Sequence, residues 1–242
     1  MVEPLNPQEF FYSFEVFSHI HPMAGTYHIV ELSLEHTEHI LEHAAVHHIQ
    51  HFHDDAWLRM MGQTLLFCMA HPDVPLLGYA SSNGISLMYK HLDVIDDYAH
   101  RMFAITSHAA SFLSCRLNLP VRFQGKLLEF PNIKVLCAYL LWKQVVHRRI
   151  MMHSMILAHL LAQGKTVEEA RATYMEAKDE KTRLAMCAQY LKVDKIPAWQ
   201  LNGLLSYWSP VEDRLQLTLN QNLPSGSDFL SFLTDALGHT IE

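Results

Sequence analysis

Between Tyr27 and Ala70 the chain has no proline and one glycine, Gly62. A stretch with so few breakers reads as one long helix, or as two that meet near Asp54, where the aspartate caps the second. The same scarcity of punctuation recurs downstream. From Ile85 to about Leu117, Met88, Leu92, Ile95, Ala99, Met102, Thr106, Ala109 and Leu113 recur every three or four residues, the stripe of a helix with one buried face. A further helix runs from about Asn132 to Ala162 and stops at Gly164.

Local start signals fill in the remainder. Asn6-Pro7-Gln8-Glu9 opens a helix to about Ser18, and Thr166-Val-Glu-Glu169 is a capping box opening another to about Leu191. Pro197, Ser209-Pro210 and Ser227-Asp228 each begin a shorter one, the last ending at Gly238. Pro120 to Pro131 reads as a connector, with at most a short β-hairpin near 121–130. The expected fold is therefore all-α: one multi-helix, bundle-like domain of about seven to nine helices. Residues 1–163 form its histidine-rich core, and 164–242 a helical extension packed upon it.

Composition narrows the function classes. Half of the residues are hydrophobic and 18% are charged, so the chain folds. A net charge of -7 argues against nucleic acid as a partner, because phosphate backbones select basic surfaces. No uninterrupted apolar run of spanning length occurs, and no membrane span is expected. Cys68, Cys115, Cys137 and Cys187 are widely separated and sit in apolar contexts, the pattern of reduced thiols in a cytoplasmic protein.

The stretch EHTEHILEHAAVHHIQHFHDD, Glu35 to Asp55, packs seven histidines between His36 and His53. At about 100° per residue, His36, His39, His43, His47 and His51 share an arc of about 120°, opposite Leu34, Leu41, Ala45, Ile49 and Phe52. Three readings stand: a solvated helix face, a metal site, and a face that switches with pH through mutual repulsion of imidazolium groups. The metal reading has the more specific geometry. His43 and His47 are one turn apart, as are Asp96 and His100 in HLDVIDDYAH. Two helices offering these four ligands suit iron, zinc or manganese inside a bundle.

HFHDDAWL, HPDVPLLGY and HLDVIDDYAH also faintly resemble, in that order, the haem-oxygenase-like di-iron proteins, which implies a helical fold and iron chemistry. The intervals are shorter than that family's, and its glutamate ligands lack counterparts. His28 with His53-Asp54 and Asp96 or Asp97 mimics the ligand set of HD-type phosphohydrolases, but continuous helix is expected where that family has a loop. Gly-Lys-Thr at 164–166 lacks the preceding glycine of a phosphate-binding loop, so no nucleotide cofactor is indicated. Arg183 to Trp208 has the rhythm of a helix-turn-helix, yet its second helix holds no Lys or Arg.

The expected function is a metal-binding helical-bundle protein, a non-haem-iron oxidoreductase or metallo-hydrolase acting on an unidentified small molecule through His43, His47, Asp96 and His100. The alternative is a non-catalytic adaptor or assembly component whose histidine-rich face docks a protein partner or responds to pH.

Overall fold

The computed structural model describes residues 25–36, 40, 51, 53–70, 75–90, 98–177, 180–190, 196–211 and 214–241. Its centre is a six-stranded antiparallel sheet, which overturns the all-α bundle. The strands are β1 (Tyr27–Leu34), β2 (Leu77–Ala80), β3 (Gly84–Tyr89), β4 (Phe123–Phe130), β5 (Leu204–Val211) and β6 (Arg214–Asn220). They lie in the order β4-β1-β3-β2-β5-β6.

The misreading has a physical cause. A strand covered on both faces has no polar side, so it lacks the alternation that marks a half-buried strand. Ile29, Val30 and Leu32 on β1 are all buried, and every residue of β3 is buried. Such runs are apolar throughout and blend into neighbouring helical patterns. Gly84–Tyr89 was in this way absorbed into the stripe that continues as helix only from Tyr98. The segment near 121–130 is a single strand paired to β1, not a hairpin, and Ser209-Pro210 lies within β5 instead of starting a helix.

The helices are α1 (Asp55–Met69), α2 (Tyr98–Leu117), α3 (Ile133–Ala162), α4 (Val167–Met175), α5 (Glu180–Tyr190), α6 (Ala198–Asn202) and α7 (Ser227–Ile241). Where the sequence carries a cap, the helix begins at it. Asn132 accepts from the Val135 amide, and Thr166 and Glu169 close a capping box in both directions. Asp54 stands at the N-cap of α1, although its carboxylate accepts from the His51 amide instead of from the helix.

The segment β1-α1-β2-β3-α2-β4 with strand order β4-β1-β3-β2 is a split βαβ unit. The β5–β6 hairpin extends it along β2. Val30, Leu32 and Leu34 face α1 and α2, where Trp57, Met61, Leu65, Ala109 and Leu113 complete one core. Ile29, Leu77, Tyr79 and Leu205 face α3 and α7, where Leu136, Tyr139, Phe229 and Leu233 complete the other. A third, smaller core joins α4 and α5 to the far half of α3 through Ile156, Leu160, Ala170 and Cys187. Among the described residues, no helix is long and apolar enough to cross a membrane.

Candidate functional site

Alternation along β1 sends Glu31 and Ser33 toward α3, while Leu32 and Leu34 point toward α1 and α2. On α3, Tyr139, Lys143 and His147 follow one another at four-residue spacing and so share a face. These two rows meet at the end of the sheet where β1 finishes and β2 turns into β3. Tyr139 donates its hydroxyl to Glu31 Oε2, Lys143 Nζ donates to Glu31 Oε1 at 2.8 Å, and Ser33 Oγ donates to the same oxygen at 3.2 Å. Burial alone would raise the Glu31 carboxyl. The charge and hydrogen bond of Lys143, with Tyr139 and Ser33, outweigh it and hold the group below its ordinary value.

The β2–β3 turn, Ser81-Ser82-Asn83, is fastened from both faces of the sheet. Trp57 of α1 donates its indole N–H to the Ser82 carbonyl at 2.7 Å, and the Ser82 amide donates to His147 Nδ1 at 3.3 Å. A ring nitrogen that accepts carries no proton, so His147 is neutral with its hydrogen on Nε2. Burial pushes its pKa down to about 4, against a partial upward pull from the backbone of Gln200 and Trp199 on α6. Within this polar track His147 Nε2 and Ser82 Oγ are buried without a hydrogen-bond partner, while Glu31, Tyr139 and Lys143 bond one another.

Room exists beside it. A cleft of roughly 530 Å³ opens between α1, α6 and the β5–β6 hairpin, within the size range of small-molecule sites. Leu58, Leu66, Leu204 and Leu219 make an apolar floor, Trp199 forms one wall, and Arg59, Gln63 and Gln221 reach the rim. Gly62 lets the hairpin approach, since a Cβ there would stand 2.9 Å from Leu204 Cδ1. An adjoining hollow of about 460 Å³ shares Asp55, Arg59 and Gln63 and adds Arg116. Asp55 accepts from Gln200 at 2.9 Å, which ties α6 to the start of α1. Arg116 Nη2 donates to Gln63 Oε1, and Arg59, 73% exposed, lies 3.7 Å from Asp55. The cleft can therefore take a planar apolar group against leucines and an indole, with the Arg59 guanidinium at its rim and that of Arg116 in the adjoining hollow.

None of these residues stood out in the sequence. Arg59, Arg116 and Trp199 lie on separate elements, and only the folded sheet brings them together. Of the expected metal ligands, His43, His47 and Asp96 lie outside the described residues. His100 falls in the first turn of α2, where its side chain is outside the description as well. Among the described residues, no group of three or more His, Cys, Asp or Glu is arranged to hold a metal.

No family model matches this chain. No curated protein sequence matches it either. Solved structures do. A bacterial tRNA(His) guanylyltransferase (Thg1)-like protein in complex with ATP superposes with a TM-score of 0.65 at 12% identity, covering 97% of both chains. A bacterial Thg1-like protein in complex with GTP gives 0.57 at 13% identity, over 94% of this chain and 93% of that one. The tRNA(His) guanylyltransferase of Saccharomyces cerevisiae gives 0.62 at 16% identity, over 87% of this chain and 96% of that one.

These likenesses establish a shared fold and correct four expectations. A metal-binding helical bundle is replaced by a sheet-centred fold, and the adaptor alternative gains no support from its neighbours. The picture of an all-α metalloprotein falls with it. The absence of a nucleotide cofactor is overturned by neighbours that hold ATP and GTP. The argument against nucleic acid from net charge is overturned by neighbours named for tRNA, because net charge averages over a surface and does not say where the charges lie.

Proposed function

We propose that this chain binds a purine nucleoside triphosphate in the cleft between α1, α6 and the β5–β6 hairpin, and that its macromolecular partner is RNA. The observation carrying this reading is the end-to-end likeness to a protein in complex with ATP, which spans 97% of both chains. The chemistry of the cleft supports it. The leucine floor and the Trp199 indole suit a base, and Arg59 and Arg116 suit phosphates. A cytoplasmic location accompanies this reading, supported by four unpaired cysteines.

Nucleotidyl transfer commonly draws on a divalent cation held by carboxylates and substrate phosphates. Among the described residues, the donors at the sheet end do not fit such an ion. Glu31 is already neutralised by Lys143 and bonded to Tyr139 and Ser33. Ser33, Ser81, Ser82 and Asn83 around the turn carry no charge. Asp55 is bonded to Gln200 and stands beside Arg59. The proposed activity is accordingly stated as recognition of the nucleotide.

Titration calorimetry with ATP and with GTP tests the reading. Saturable binding of one triphosphate per chain is expected, weakened roughly tenfold in Arg59→Ala and in Arg116→Ala, each of which loses a charge-assisted hydrogen bond. A folded chain that binds neither triphosphate would sink the proposal.

A further inference from the structure

The sheet ends in two edge strands, β4 and β6, and their edges are written differently. β4 carries Lys126 and Glu129, charges of the kind that discourage further strand pairing. β6 runs Leu215, Gln216, Leu217, Thr218, Leu219, Asn220, with no charge, proline or glycine among them. Among the described residues it pairs with β5 alone. Leu217 and Leu219 pack against the core beneath α1, whereas Leu215, in the same row, is 61% exposed. An uncharged edge with a bare leucine at one end is a template for another strand.

The direction of the hydrogen-bonding groups along β6 follows from its neighbour. Ser209 Oγ donates to the Gln216 carbonyl at 3.4 Å, so that carbonyl points toward β5. Pro210, opposite Leu215, has no N–H to give, which fits a pair that exchanges no backbone bonds. By alternation the N–H and C=O groups of Leu215, Leu217 and Leu219 point away from the sheet.

We infer that β6 is the contact between two copies of this chain, paired antiparallel about a two-fold axis through Leu217. The strand is complementary to its own reverse. With Leu217 opposite the partner's Leu217, Leu215 faces the partner's Leu219, and the leucine rows of both strands align on one side. On the other side Gln216 faces the partner's Thr218 and Arg214 faces the partner's Asn220, so no like charges oppose. Slipping the strands by two residues either way leaves a leucine of each strand facing no leucine. Leu219 also lines the cleft, so the partner's Leu215 comes to stand beside it, about 5 Å away between Cβ atoms. A two-fold contact closes on itself, so association stops at the dimer. One strand pair is a small interface, and a reversible dimer with a dissociation constant on the order of 10 µM is expected.

The test is sedimentation velocity on the full chain without nucleotide, from about 1 µM to about 200 µM, a range that brackets that constant. The mass is expected to rise from the 27.9 kDa of one chain toward twice that value. Leu215→Pro removes an outward N–H and leaves the β5 ladder intact, and it should weaken the dimer at least about tenfold. Gln216→Lys sets two lysines diagonally across the axis and should also weaken it, with the loss recovered at about 1 M KCl, where charges are screened. Both positions are exposed, and circular dichroism with a thermal midpoint checks that each variant folds. A chain that stays at 27.9 kDa across the range would overturn the interface. A dimer indifferent to both substitutions would overturn it too, since the contact would then lie elsewhere on the molecule. Neither result bears on nucleotide binding, which is measured separately.

Discussion

Lys143 Nζ stands 2.8 Å from Glu31 Oε1, with the lysine side chain 15% exposed and the glutamate 3% exposed. The two charges were taken out of water together, and each makes the other tolerable. Lys143→Met leaves the carboxylate buried and uncompensated, which should destabilise the fold at neutral pH by about 3–5 kcal/mol. The pH dependence should change sign as well. In the wild type the Glu31 pKa is lowered, so its contribution is complete above the ordinary carboxylate value and is lost as pH falls through the lower folded value. In Lys143→Met burial goes unopposed and raises the group, so acidification should recover stability. Urea unfolding between pH 7 and pH 4 separates the two behaviours.

His147 gives a second acid-sensitive element. Its imidazole titrates near 6.5 when unfolded and near 4 in the fold. Between those values the unfolded chain binds the additional proton, so stability should fall as pH drops from 6.5 to 4 and level off below. The full effect is about 3 kcal/mol. In His147→Asn the slope across this window should shrink by about one proton. Some slope should remain, because burial also lowers His53 and His153.

Gly84 begins β3 where a Cβ would stand 2.5 Å from the backbone carbonyl oxygen of Leu32 on β1. A backbone atom cannot swing aside as a side chain can. Gly84→Ala should cost about 1–3 kcal/mol and shift the thermal midpoint accordingly, through separation of β1 and β3.

Thr166 closes the capping box that starts α4, the helix carrying Arg171 and Tyr174. Thr166→Ala should cost about 1 kcal/mol of local helix stability. Amide exchange should quicken in the first turn of α4 and stay unchanged in the sheet.

Legibility in the sequence followed the physics of each signal. Thr166 with Glu169, Asn132, Pro197 and Ser227 announce helix starts through short-range chemistry, and the structure has helices at each. The sheet was hidden because β1 and β3 lie between two helical layers, where both sides of a strand are apolar. The cleft was hidden for another reason. Asp55, Arg59, Trp199 and Leu219 are separated by up to 164 positions, and neither periodicity nor spacing encodes a meeting across the β5–β6 hairpin. Histidine abundance drew attention to His43, His47, Asp96 and His100, whose side chains lie outside the described residues.

The turn between β2 and β3 has an uncommon standing for a hairpin tip. Loop amides ordinarily trade their protons with solvent quickly, because nothing holds them between openings. The Ser82 N–H is instead capped by an imidazole, its carbonyl is capped by an indole, and the residue is wholly shielded from water. Deuterium should therefore enter this position as slowly as it enters the central strands, making a loop apex one of the last parts of the molecule to let go.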